Sequence, residues 1–375
     1  MFFEAFNEWL IYGTQAIMNL FSQYFKNEGF SPVQIGILVT IGRVMSLVAN
    51  PFWFSFKSKF GEKKTIPLIT LFPLILIWGI YFLPSFEGKL IAMALSGLFL
   101  SVILPIVEGR VISSLMKKGI DFNPSRLVGS VGFSITAFVA GFLIQYGFIV
   151  LFILLSILLF FIFLINKTHQ FEHKKVIAKQ TTDSTGNWKI LSIMLVSGIL
   201  ALSSSTFYAT FLPLYLDQKG YPMSFTGISF FIFAMAEIPF LIFSKKIIGK
   251  IGEPLLLISG VLACGLRILL SAYCTSFIQF IFICLLHGWG YIVIYYAIYH
   301  FIHYHMPEKQ TNKAQAVFWM GINGIGFVIG SLLGGFIVEG FGLIESYTAI
   351  GTFITLLSAV LFFWNRLNSR RHLNR

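Results

Sequence analysis

Twelve runs of about 20 apolar residues, separated by short polar breaks, fill this chain, and a helix of that length matches the hydrocarbon thickness of a bilayer. The runs lie near residues 6–25, 33–56, 65–84, 89–114, 127–146, 148–166, 189–216, 225–247, 254–273, 277–303, 314–338 and 345–365. Hydrophobic residues make up 57% of the chain and charged ones 11%, against about 45–50% and about 25% in soluble domains. A soluble fold cannot hide that much apolar surface, so the solvent is lipid. The chain reads as an all-α integral membrane protein with twelve transmembrane helices.

The net charge of +12 sits in short clusters between apolar runs, which is a topology signal and not a nucleic-acid surface. Loops after even-numbered spans, together with the C-terminal tail, carry 21 Lys and Arg; the opposite loops carry only Lys26, Lys89 and Lys219. This bias predicts both termini in the cytoplasm. The longest polar stretch, residues 166–189, is mixed in charge and rich in Thr, Ser and Lys, as suits a cytoplasmic linker. The expected organisation is a first six-helix half at 1–166, a linker at 167–188, a second half at 189–366 and a basic tail at 367–375. No cleavable leader is expected, since Met1 is followed by Phe2 and Phe3 with no basic region.

The halves repeat each other. Residues 24–62 align without a gap on 215–253, pairing Tyr24 with Tyr215, Gly29 with Gly220, Gly36 with Gly227, Gly61 with Gly252 and Glu62 with Glu253, each 191 residues apart. The glycines are expected to mark the ends of the helices that follow spans one and seven. A second echo, GFSITAFVAGF from Gly132 against GFVIGSLLGGF from Gly326, places small residues where helix backbones approach closely.

Ionisable groups at bilayer depth need a partner or a water-filled cavity, so each is a functional candidate. Three arginines fall inside spans: Arg43, Arg110 and Arg267. Acids at similar depth are Glu108 and Glu237, and His287 joins them in span ten. Arg267 and Glu237 lie in neighbouring spans and are expected to pair, with His287 taking part in proton movement. Arg110, near a span end, is expected to snorkel. Tyr12, Gln15, Asn19 and Gln23 share one face of span one, and Ser204, Ser205 and Tyr208 lie on span seven. Corresponding helices of two halves are where a central polar cavity is expected.

Other chemistries find little support. His300, His303 and His305 end span ten, and no nearby acid or cysteine is expected to complete a tetrahedral metal set with them. Cys264, Cys274 and Cys284 are spaced by ten and read as core residues. There is no phosphate-binding loop. Neither a cofactor nor a metal is expected.

Twelve spans in two halves, basic loops after spans two and eight, and a central linker resemble the major facilitator superfamily (MFS). Its loop motif, Gly-x-x-x-Asp-Arg-x-Gly-Arg-Lys, is degenerate here: Phe54, Ser58 and Lys59 replace the first glycine, the aspartate and the arginine, while Gly61, Lys63 and Lys64 remain. The stretches LPIVEG from Leu104, DFNPSRLVGSVGF from Asp121, AEIPFLIFSKKI from Ala236, GLRILL from Gly265, LLHGWG from Leu285 and QAVFWMGINGIG from Gln315 resemble the branch holding the phenylpropionate and lactose permeases. The resemblance implies substrate-binding roles for Arg43, Glu108, Arg126 and Phe133, and binding or proton-coupling roles for Glu237, Arg267 and His287. It also moves Arg126 from the loop to the cavity side of span five. One departure stands out: where that branch has a proton-carrying glutamate, this chain has Gly290.

The expected function is a proton-coupled symporter working by alternating access, with one small solute bound between the halves. Asn19 and Tyr208 join the substrate-binding set, and Lys59, Gly61, Lys63 and Lys64 form the conformational loop. The excess of Arg43, Arg126 and Arg267 over acids favours an aromatic carboxylate; a sugar or nucleoside is the alternative that the resemblance brings. An efflux carrier for hydrophobic compounds and, remotely, a polytopic membrane enzyme using the histidine cluster are further readings. The expected partners are the solute, protons and the lipid of a bacterial-type plasma membrane, with the chain acting as a monomer.

Overall fold

A computed structural model describes residues 2–118, 123–169 and 187–373. Most of the expected linker lies outside the described residues, as does the end of the basic tail. Every regular element among the described residues is helical. In order these are α1 (Phe2–Asn19), α2 (Phe21–Asn27), α3 (Pro32–Phe60), α4 (Glu62–Phe82), α5 (Phe86–Lys117), α6 (Asn123–Leu143), α7 (Ile149–Thr168), α8 (Trp188–Gln218), α9 (Ser224–Ile251), α10 (Glu253–Ala272), α11 (Phe277–His305), α12 (Glu308–Met320), α13 (Gly334–Phe341) and α14 (Leu343–Leu373).

Among the described residues, eleven helical segments are long and apolar enough to cross a bilayer. The twelfth expected span is α1 with α2, and it departs from expectation in two ways. Its polar stripe, Glu4, Asn7, Glu8, Tyr12, Gln15 and Asn19, makes it too hydrophilic to count among the eleven. It also breaks at Leu20, where the ladder tightens to Leu20 N–Ile17 O and Gln23 N–Leu20 O bonds. Span eleven is likewise interrupted: α12 runs into two wide π turns, Gly321–Gly326 and Ile329–Leu333, before α13. A Cβ at Gly330 would lie 2.2 Å from the Ser203 carbonyl oxygen of α8, so the second glycine echo is a close-packing device.

The duplication is visible in the backbone. Gly61 ends α3 at φ 78° and Gly252 ends α9 at φ 77°, a left-handed conformation that a side chain would strain. Gly61 N donates to Lys57 O at 2.8 Å and Gly252 N to Ile248 O at 2.8 Å. Gly29 and Gly220 also have positive φ. Gly36 and Gly227, expected at helix ends, instead lie inside α3 and α9. There a glycine serves packing: a Cβ on Gly227 would meet the Ala137 carbonyl oxygen at 2.4 Å.

The helices pack into two compact units, Met1–Ile177 with Thr210–Ala234, and Ala178–Ala209 with Met235–Arg375. In the first, α1 packs against α5, α6 and α7; in the second, α10 packs against α11 and α14.

Candidate functional site

Among the described residues, each unit contains a buried polar cluster built around its first helix. In the first unit, α6 comes unusually close to α1 because it presents glycine at the contact. A Cβ at Gly132 would sit 2.7 Å from Trp9 Cα, and one at Gly129 would sit 2.5 Å from the Tyr12 ring. One turn before Gly129, Arg126 therefore reaches over Tyr12, its Cζ 4.0 Å from the ring centroid, a cation–π contact. The Tyr12 hydroxyl donates to Glu108 Oε1 of α5 at 2.8 Å. Glu8, one turn before Tyr12, is fully buried, lies within the electrostatic reach of Glu108 and Arg126, and has no hydrogen-bond partner on either carboxylate oxygen.

Arg43 Nη2 donates to Gln15 Oε1 at 3.0 Å, which ties α3 to the same stripe of α1. Phe133 packs edge-on against Phe230, with centroids 6.5 Å apart. Asn19 lies on the stripe, but no side-chain hydrogen bond joins it to this group among the described contacts.

Several charges read from sequence as loop or snorkelling residues are interior ties. Arg110 does not snorkel: it is 5% exposed, and its Nη1 donates to Asn166 Oδ1 at 3.0 Å while Nε faces Glu62 Oε2 at 3.2 Å. Asn166 Nδ2 in turn donates to Asn7 Oδ1 at 3.0 Å. Glu62 also pairs with Lys57 at 2.9 Å. Glu62, four residues beyond Ser58, thus ties the loop to Lys57 of α3 and to Arg110 of α5. Lys59 and Lys64 lie over the Phe60 ring at 5.3 and 5.7 Å, flanking Gly61; Lys63 is exposed. Lys89, counted as a loop charge, is fully buried and donates to Tyr24 Oη at 2.6 Å and to Ile80 O at 2.9 Å, with Glu28 at 3.3 Å. Lys26 pairs with Asp217 at 2.7 Å.

In the second unit Arg267 of α10 is 1% exposed. Its Nη2 donates to Ser205 Oγ at 3.1 Å, its Cζ lies 4.5 Å from the Tyr208 ring centroid, and its Nη1 meets His287 Nδ1. His287, which meets Arg267 at one ring nitrogen, faces Glu237 Oε1 with the other, Nε2, at 3.5 Å, so the histidine joins the two residues expected to pair. A guanidinium only donates, so Nδ1 accepts and the ring proton is on Nε2, toward the carboxylate. Tyr208 Oη shares a 2.9 Å bond with Ser271 Oγ, whose hydroxyl also reaches Arg267 O at 2.8 Å. Tyr291 stacks on His287 with the rings 5.4 Å apart.

The structure thus brings Glu108 and Arg126 together with Tyr12, and Arg267, His287 and Glu237 together with Tyr208. Sequence reasoning missed Glu8, Glu4 and Asn7. The signal that finds them is their spacing: with Tyr12, Gln15 and Asn19 they continue one helical stripe toward the N-terminus. The histidine reading also changes. Glu253, distant in sequence, accepts from His300 Nδ1 at 2.8 Å and lies 3.1 Å from His305 Nε2, while His303 turns to Tyr299 O and Gln315. No group of three or more ligands fit for a metal occurs among the described residues.

Comparison with known proteins places this geometry in context. The MFS_1-like family profile matches residues 10–349. An uncharacterized transporter of Bacillus subtilis (strain 168), YwbF, is 26% identical over 248 residues, 64% of this chain and 62% of the relative; the match thus spans about three-fifths of that protein's length. The maltose permease of Geobacillus stearothermophilus is 22% identical over 378 residues, covering 95% of this chain and 94% of that protein. A crystal structure of the nucleoside transporter NupG shares the fold, superposing with a TM-score of 0.77 at 17% identity over 96% of this chain and 97% of that one.

Proposed function

The chain belongs to the MFS_1-like family and is a multi-pass membrane transporter, and from that premise we propose that it is a proton-coupled symporter of a small neutral, hydroxyl-bearing solute, a sugar or a nucleoside. The observation that carries this reading is the charge balance of the first unit's cluster. Two carboxylates, Glu8 and Glu108, accompany one guanidinium, Arg126. An ionised carboxylate accepts from hydroxyls and a guanidinium donates to them, so Glu108 and Arg126 together fit a vicinal hydroxyl pair. Whether Glu8 is protonated or not, the acids at least offset Arg126, so the cluster has no unbalanced positive charge with which to recruit an anionic solute.

The arginine count that favoured an aromatic carboxylate is reduced at this level by Arg126, whose charge Glu8 and Glu108 offset. Arg43 is engaged by Gln15, and Arg267 by His287 and Ser205. The maltose permease and the nucleoside transporter among the similar proteins support the same class. In this reading Phe133 supplies an apolar face for the solute, and Arg267, His287 and Glu237 form the second polar site of the cycle. The chain acts as a monomer by alternating access in a bacterial-type plasma membrane, with both termini cytoplasmic.

The test is uptake of radiolabelled maltose, lactose, uridine and 3-phenylpropionate by cells expressing the protein, with and without a protonophore. Accumulation of a sugar or uridine that collapses with the protonophore and is lost in Glu108→Gln supports the proposal. Accumulation of 3-phenylpropionate alone overturns the solute class, and protonophore-insensitive accumulation overturns the coupling.

A further inference from the structure

Gly290, which stands where the resembling branch carries its proton, has no space for a carboxylate. A Cβ there would lie 2.8 Å from Cys264 Sγ and 3.3 Å from Cys264 N, so the missing side chain is what lets α11 pass α10. A proton-carrying acid needs another location.

The first unit offers one. Glu8 is the only carboxylate among the described residues with both oxygens buried and without a hydrogen-bond partner, and its exposure is 0%. Neighbouring acids differ: Glu108 accepts from Tyr12, and Glu4 accepts from Ser114 at 2.8 Å and from Lys118. The helices packed on α1 present few charges to Glu8. From α5 come Glu108 and Arg110, the latter bound to Asn166 and Glu62; from α6 comes Arg126; from α7 the nearby polar group is Asn166, held by Asn7. On α1 itself Glu4 and Tyr12 lie one turn to either side. An ionised carboxylate with no donor, in a helix bundle surrounded by lipid, is costly unless it takes a counter-charge or a proton. Among the described residues Arg126 is the cation that acts on Glu8, and it is shared with Glu108.

We propose that Glu8 is a proton-binding site of this transporter: one carboxylate oxygen takes a proton from water, forming the neutral acid, and later returns it to water. No other bond changes. The use of this proton in coupling rests on the transport reading above. When solute hydroxyls draw Arg126 toward themselves, Glu8 loses its share of the guanidinium and is accommodated only in protonated form, which links solute loading to proton loading.

The test is infrared difference spectroscopy of the purified protein in phosphatidylcholine vesicles, titrated between pH 5 and pH 9 in heavy water. Wild type is expected to show a protonated-carboxyl stretching band that titrates, is lost in Glu8→Gln and persists in Glu108→Gln. Should Glu8→Gln fail to fold, Glu8→Asp, which keeps the acid and shortens its reach, is expected to shift the band. A band unchanged in both Glu8 variants, or lost in Glu108→Gln instead, overturns the proposal. The measurement needs no solute, so it separates the two claims. A Glu8-dependent band in a protein that accumulates none of the four probes retires the proposed solute class and keeps the proton site; protonophore-sensitive uptake with a Glu8-independent band does the reverse.

Discussion

Each unit lays an arginine over the tyrosine of its first helix: Arg126 stands 4.0 Å from the Tyr12 ring and Arg267 stands 4.5 Å from the Tyr208 ring. One turn before the tyrosine the two sites part. Glu8 precedes Tyr12, whereas Ser204 precedes Tyr208, and the Ser204 hydroxyl is satisfied by the Ala201 carbonyl at 2.7 Å. The tyrosine hydroxyls also differ, one donating to Glu108 and the other sharing a bond with Ser271. The stacked arginine is thus common to both units, and what surrounds it is not. In the first unit the guanidinium stands between two acids, Glu8 and Glu108; in the second it meets Ser205 and His287, and the far nitrogen of that histidine faces Glu237.

The largest expected effect tests that asymmetry directly. Arg267 is fully enclosed and holds Ser205, His287 and Tyr208 at once, a task for which a planar fork is required and an ammonium is unsuited. Arg267→Lys is therefore expected to lower uptake of the transported probe by on the order of a hundredfold, the loss typical of a broken buried charge-assisted contact. Arg126 is partly exposed and acts mainly as a positive charge between acids, so Arg126→Lys is expected to retain measurable uptake. Equal losses in two well-folded variants, checked by size-exclusion profile, would mean that the arginines do the same work and that the asymmetry has no functional weight.

A second prediction concerns why the acid is absent from the second unit. Overpacking a tight contact costs about 1–3 kcal/mol, so Gly290→Ala is expected to lower the thermal midpoint by several degrees, read by differential scanning fluorimetry in detergent. The added methyl meets Cys264 Sγ first. Cys264→Ala in the same chain is expected to restore part of the loss, the signature of coupled neighbours. A neutral Gly290→Ala, or a double variant no better than the single, would show that space at α10 does not keep a side chain out of this position.

These two cases also show what was legible in the sequence. The spans and the duplication were readable because lipid imposes run length and because Gly61 and Gly252 fill a backbone conformation that few residues accept. Arg267, His287, Glu237 and Glu108 were findable as charges within apolar runs, whereas Arg126 read as a loop charge until the resemblance moved it to span five. Glu8 was not, because a glutamate near the start of an apolar run reads as an interfacial charge; it becomes interior only when Gly129 and Gly132 let α6 close over α1. Lys89 and Arg110 escaped for the same reason: hydropathy locates a residue along the chain, and burial depends on which neighbour covers it.

The smallest expected effect sits at the start of the acidic stripe, where Glu4, in the first turn of α1 ahead of the apolar run that begins near residue 6, has no acidic counterpart in the first turn of α8. Burial alone would raise its carboxyl, but the hydrogen bonds it accepts, that from Lys118 the strongest, together outweigh it and hold the group at about 2, against an ordinary 4.5. A carboxyl with a lowered folded pKa adds stability that is fully present above about pH 4.5 and drains away as the pH falls toward 2. The thermal midpoint of the wild type is therefore expected to fall more steeply between pH 5 and pH 3 than that of Glu4→Gln, with the largest gap between them at neutral pH. Since Glu4 touches neither Arg126 nor Tyr12 among the described contacts, uptake at pH 7 is expected to change little. Parallel stability curves would remove Glu4 from the contrast and leave Glu8 and Glu108 as its acidic side; a parallel curve with lost uptake would instead join Glu4 to the transport site.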